Sequence, residues 1–110
     1  MSDRDTVILV VEPDEPARET LERRLTDRGF RVVSAESVDR AGEVLQSLPP
    51  DLVIAAAEED GEGNSWGALR RELPINDVFF LFAGTDNSVK ARRRAFDQGA
   101  DDYLAKPFHV

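Results

Sequence analysis

Short apolar runs alternating with helix-length segments predict an α/β domain wound around a parallel sheet. Two observations carry that expectation. "VILVV" at residues 7 to 11 is continuous rather than alternating, the pattern of a strand covered on both faces. The stretches between such runs carry helix start and stop signals at the spacing of right-handed βαβ units. At 110 residues the chain is expected to form one domain, 1 to 110, with no internal repeat or linker.

After the first strand, "EPDEPARETLERRLTDRG" reads as a helix, with Asp14 as N-cap and Pro16 in the first turn. Ala17, Leu21 and Leu25 form its stripe, and Gly29 ends it. "FRVVSA" is the second strand, and Ser37 caps a helix whose apolar face is Ala41, Val44, Leu45 and Leu48, stopped by Pro49 and Pro50. "DLVIAAA" is the third strand, followed by an acidic loop and a short helix in "SWGALRREL". "DVFFLFAG" is the fourth strand. "NSVKARRRAFDQG" is a fourth helix with Asn87 as cap, Val89, Ala95 and Phe96 inward, and Gly99 at its end. "DYLAKPF" is the fifth strand.

The absence of cysteine excludes disulfides, thiol catalysis and cysteine metal sites, and it suits a reducing cytoplasm. No signal-peptide pattern or membrane-spanning apolar run is present, so the expectation is a cytoplasmic protein with no membrane partner. A formal charge of -8 disfavours nucleic acid as a partner of this domain. "KARRR" at residues 90 to 94 is the local exception, read first as a solvated helix face and second as a docking patch.

In open parallel sheets, chemistry gathers at the carboxyl ends of the strands near the reversal of strand order. That rule selects Glu12, Pro13 and Asp14; Ala55 to Asp60; Ala83, Gly84 and Thr85; and Lys106 and Pro107. Carboxylates facing one lysine suit a divalent cation and a phosphoryl group, because hard cations take oxygen ligands and lysine neutralises phosphate. The plainer alternative is a lysine paired with a loop carboxylate for charge balance.

"ILVVEPDEPARETLERRL", "PDLVIAA" and "GADDYLAKPF" resemble, in order and separation, the receiver domain of two-component response regulators, from Thr6 to Phe108. The resemblance implies a flavodoxin-like, doubly wound five-stranded sheet of order 2-1-3-4-5. It also implies magnesium on an acidic pair after strand one, phosphate on an aspartate ending strand three, and a switch made of a strand-four hydroxyl, a strand-five aromatic and a lysine. Carried over residue by residue, the acidic pair falls on Glu12 and Pro13, with Asp14 one place late. The acceptor position falls on Ala56. The hydroxyl falls on Gly84, or on Ala83 if the loop is one residue longer, with Thr85 reached only by a shift. Tyr103, Lys106 and Pro107 match.

The resulting expectation is a degenerate receiver, not an enzyme, that binds a protein partner without phosphorylation and needs no cofactor. Its rivals are a magnesium-dependent receiver phosphorylated on a displaced acid, Glu58, Glu59 or Asp60, and a purely structural or oligomerisation domain. A weak magnesium site from Glu12, Asp14 and loop carboxylates is a further alternative. Lys106 is expected to pair with Glu12 first and Glu58 second. Tyr103 is open between inward and outward placement. The family's final helix finds no counterpart after "KPF", which makes the chain a candidate N-terminal part of a longer regulator. Contact with a protein partner or a second copy is then expected through the fourth helix and fifth strand, or through an uncovered side by the first helix and fifth strand.

Overall fold

The computed structural model describes residues 6–47, 50–56, 78–84, 88–97 and 100–105. Five strands, β1 (Val7–Val11), β2 (Arg31–Ala35), β3 (Leu52–Ala56), β4 (Phe79–Gly84) and β5 (Asp102–Ala105), form one sheet in the order β2-β1-β3-β4-β5. Every neighbouring pair is parallel. Three helices are described: α1 (Glu15–Asp27), α2 (Val38–Ser47) and α3 (Val89–Asp97). The expected helix in "SWGALRREL" and the question of a final helix both fall outside the described residues.

Alternation along the strands sorts the core into two layers. Leu9, Val11, Val53, Ala55, Phe80, Phe82 and Tyr103 pack on one face with Ala41 and Leu45 of α2 and Ala95 of α3. Ile8, Val10 and Ile54 pack on the other with Leu25 and Leu21 of α1. The continuous run in β1 is therefore buried throughout, as its lack of alternation predicts.

Helix ends follow their local chemistry. The Asp14 carboxylate accepts the Ala17 N–H at 3.0 Å, and Ser37 Oγ accepts the Arg40 N–H at 3.1 Å. At the far end of α1, the N–H groups of Gly29 and Phe30 return to the carbonyls of Thr26 and Leu25. This closure needs the left-handed φ of 99° that Gly29 adopts. For α3 the cap is Ser88, whose Oγ accepts the Ala91 N–H at 3.1 Å; the expected cap Asn87 lies outside the described residues.

Two expected core assignments are corrected. Ala17 is exposed, since the first turn of α1 overhangs the strand ends, and Leu21 and Leu25 carry the contact. In α3, Val89 and Phe96 are 72% and 47% exposed, while Ala91 and Ala95 face the sheet. Phe80, Phe82 and Tyr103 already fill that layer, so the helix approaches through its smallest side chains.

Two aspartates fasten the opposite, amino-terminal edge of the sheet. Asp51 accepts the Val7 N–H on its carboxylate at 2.9 Å and donates its own N–H to the Val7 carbonyl at 2.8 Å. Asp101 repeats the pattern on Phe80, at 2.8 and 2.7 Å.

Candidate functional site

Strand order reverses between β1 and β3, because the α1 crossover leads outward to β2 and the α2 crossover leads back past β1. α1 and α2 lie on opposite faces of the sheet, and the reversal between β1 and β3 is where open parallel sheets place ligands at their carboxyl ends. The register brings Val11 beside Ala55, Ala56 beside Ala83, and Gly84 beside Ala105. Glu12, Ala56, Ala83 and Gly84 therefore lie along one end of the sheet.

Glu12 is the buried carboxylate of this end, at 7% exposure. Its backbone N–H donates to the Ala35 carbonyl at 3.0 Å, which extends the β1–β2 ladder by one residue. Its Oε2 accepts the Asp14 N–H at 3.1 Å, and its carbonyl accepts Arg18 Nη1 at 2.8 Å. The side chain is thus folded back over Pro13, which is itself exposed and supplies no donor or ligand atom. Asp14 is exposed and engaged as the α1 cap.

Ala56 ends β3 at 4% exposure, and Ala83 and Gly84, which end β4, are also buried. A methyl group, a methyl group and a hydrogen are the only side chains that β3 and β4 present there. None carries an oxygen to accept a phosphoryl group, bind a cation or follow a phosphate. Among the described residues, no three His, Cys, Asp or Glu side chains come together as a metal-binding group. Glu58, Glu59, Asp60, Thr85, Lys106 and Pro107 lie outside the described residues, so the expected pairing of Lys106 falls there too.

Tyr103 is inward, at 4% exposure, in the layer with Phe82 and Ala95. Arg92, one turn into α3, holds it from the solvent side. The guanidinium carbon lies 5.5 Å from the ring centroid, and Nη1 donates to the Tyr103 carbonyl at 3.3 Å. Arg92 thereby joins α3 to β5, the edge strand.

Sequence reading missed the individual roles of Arg18 and Arg92. Helical spacing carried a signal for both. Arg18 lies four residues after the cap Asp14 and reaches back over the β1 end, and Arg92 adjoins the inward Ala91 and Ala95 stripe.

Comparison with known proteins gives a consistent family. The model of the response regulator receiver domain matches residues 8–110. The KDP operon transcriptional regulatory protein KdpE of Escherichia coli is 35% identical over 106 residues, covering 96% of this chain and 46% of that protein. The transcriptional regulatory protein KdpE of Mycobacterium tuberculosis is 37% identical over 105 residues, covering 94% and 45%. The chain spans less than half the length of these curated relatives. Among solved structures, the non-phosphorylated HemR receiver domain of Leptospira biflexa superposes with a TM-score of 0.78 at 30% identity, covering 96% of this chain and 85% of that one. The chemotaxis protein CheY4 of Vibrio cholerae shares the fold at a TM-score of 0.84 and 21% identity, covering 94% and 88%.

Proposed function

The chain belongs to the response regulator receiver domain family, and from that premise we propose that it serves two-component signal transduction as a phosphorylation-independent protein-interaction module. One observation carries the reading: the residue that ends β3, where the family's acceptor aspartate is expected, is Ala56, buried and without a side-chain oxygen. Its surroundings support the same conclusion. Pro13 removes one member of the acidic pair, and neither Gly84 nor Ala83 has the switch hydroxyl.

The proposed contact surface is α3 with β5. Tyr103 is packed inward and tied to α3 by Arg92, so helix and edge strand present one joined surface. The side by α1 and β5 is the second candidate, because Phe79, on the α1 side of β4, is exposed. The domain is proposed to work in the cytoplasm, without a cofactor, as part of a longer regulator. No helix among the described residues is long and apolar enough to cross a membrane.

Incubation with magnesium and acetyl phosphate, followed by intact mass, tests the reading. The expected result is an unchanged mass. A stable added phosphoryl group would overturn it in favour of a displaced acceptor at Glu58, Glu59 or Asp60.

A further inference from the structure

We infer that β2, the edge strand opposite β5, pairs with β2 of a second copy of this chain, antiparallel across a twofold axis, so that one sheet runs through both copies. The inference concerns the far edge from the α3 and β5 surface and stands or falls independently of the phosphorylation reading.

The β1–β2 ladder decides which backbone groups this edge offers. Arg31 donates its N–H to the Thr6 carbonyl at 3.1 Å, and the Ala35 carbonyl accepts the Glu12 N–H at 3.0 Å. Bonding residues alternate along a strand, so Arg31, Val33 and Ala35 turn their N–H and carbonyl groups toward β1. Val32 and Ser34 turn theirs to the open edge. The register with β1 is unbroken over five residues, without proline, glycine or bulge, and Arg31 is the strand's single charge. Sheets ordinarily blunt such an edge. β5 does so, being four residues long and starting with the exposed carboxylate of Asp102.

Two features select a second copy as the occupant. Antiparallel pairing centred on Val33 sets Val32 of each copy opposite Ser34 of the other, which satisfies the outward groups of both residues reciprocally and puts Val33 against Val33. The second feature is charge. From residue 28 to residue 43 the charged side chains are Arg28, Arg31 and Arg40 against Glu36, Asp39 and Glu43, all exposed, so this segment is neutral in a chain of formal charge -8. Arg40 and Glu43 pair with each other at 2.8 Å. Cations are thereby left at the start of β2 and carboxylates just past its end, and an antiparallel partner lays each against its opposite. A parallel partner would lay like on like. The charge of -8 on each copy opposes their approach, but salt screens it beyond about 8 Å at physiological strength, whereas Arg31 and Glu36 meet at the strand ends within that distance.

Sedimentation equilibrium of the 110-residue chain is expected to show monomer and dimer with a Kd of roughly 10–500 μM, as suits a small contact. Ser34→Pro removes an outward N–H and leaves the β1 ladder intact, at the cost of the long 3.5 Å bond from the hydroxyl to Glu22. It is expected to weaken association at least about tenfold. Arg31→Glu is expected to weaken it about tenfold, because each of the two symmetric contacts loses an attraction and gains a repulsion; adding Glu36→Arg recovers most of the loss. Thermal melts verify that the variants fold. The chain has no cysteine, so Val33→Cys supplies a single thiol. Mild oxidation is expected to link that variant into a covalent dimer faster than Val32→Cys, whose opposite residue is Ser34. A chain still monomeric at about 1 mM would overturn the inference. So would a dimer that neither Ser34→Pro nor Arg31→Glu weakens, or equal crosslinking at the two cysteine positions. Tighter binding of a fluorescein-labelled alternating valine and threonine peptide than of the second copy would also overturn it, showing a general strand acceptor.

Discussion

Replacing Arg92 by alanine tests whether the contact between α3 and β5 stabilises the fold. The change removes a hydrogen bond to the Tyr103 carbonyl and a cation over its ring, among other contacts of Arg92. A hydrogen bond from a charged donor contributes about 1.5–3 kcal/mol at good geometry, but at 3.3 Å this one is long, so about 1 kcal/mol is the better figure. A partly buried cation 5.5 Å from a ring centroid adds roughly 0.5–1 kcal/mol. Together they give about 1.5–2 kcal/mol, or a melting point lower by roughly 6–8 °C in a domain of this size. Tyr103 is the chain's single tyrosine, so its reactivity reports on this contact alone. Nitration by tetranitromethane, followed by intact mass, is expected to be slow in the parent because the ring is buried. It is expected to accelerate about 10- to 30-fold in Arg92→Ala, since that destabilisation raises the open population by the same factor. Arg92→Lys keeps the charge but not the planar fork and is expected to fall between. An unchanged melting point and nitration rate in Arg92→Ala would refute the reasoning.

Asp51→Ala leaves the Val7 N–H without its carboxylate acceptor and is expected to cost about 1.5–2.5 kcal/mol, read from the urea midpoint, with Asp51→Asn recovering more than half. Ala56→Asp puts a carboxylate at a buried position near Glu12 and is expected to lower stability by roughly 2–4 kcal/mol. It is not expected to restore efficient phosphorylation, because Pro13 and Gly84 still lack side-chain oxygens, whereas adding Pro13→Asp is expected to strengthen magnesium binding measured by calorimetry. Rapid phosphorylation of the single variant would show that Pro13 has little influence.

The strand pattern was legible because each buried strand is a continuous apolar run, and burial on both faces is what such runs imply. The orientation of α3 was not. Its nine residues offer several partial stripes, and the choice among them depends on the volume already supplied by Phe80, Phe82 and Tyr103 from other parts of the chain. Large apolar side chains looked like the core, and the sheet instead accepted the two alanines. The aspartates at 51 and 101 were likewise passed over, since their role appears only when the neighbouring strand's first N–H is in place. At the candidate site, what a residue lacks could be read from its identity: alanine at 56, proline at 13 and glycine at 84 have no side-chain oxygen in any conformation. What a residue does with the groups it has depends on geometry. Glu12 could have opened toward the other strand ends, and its placement over the Asp14 N–H is a property of the loop.

The adjacent arginines 92 and 93 show why the proposed module can be firm without a phosphoryl switch. They differ by one residue, hence by about 100° around the helix. One is turned to the edge strand and the other to solvent. Arg92 stabilises the orientation of α3, and Arg93 is free to meet a partner without disturbing the core. Tyr103 is packed at 4% exposure, with a cation over its face. The contact that assembles the surface is therefore internal to α3 and β5 and does not pass through Ala56. On that argument, the side-chain oxygens missing at Ala56 and Gly84 and the ordered α3 face are compatible, because separate residues carry them.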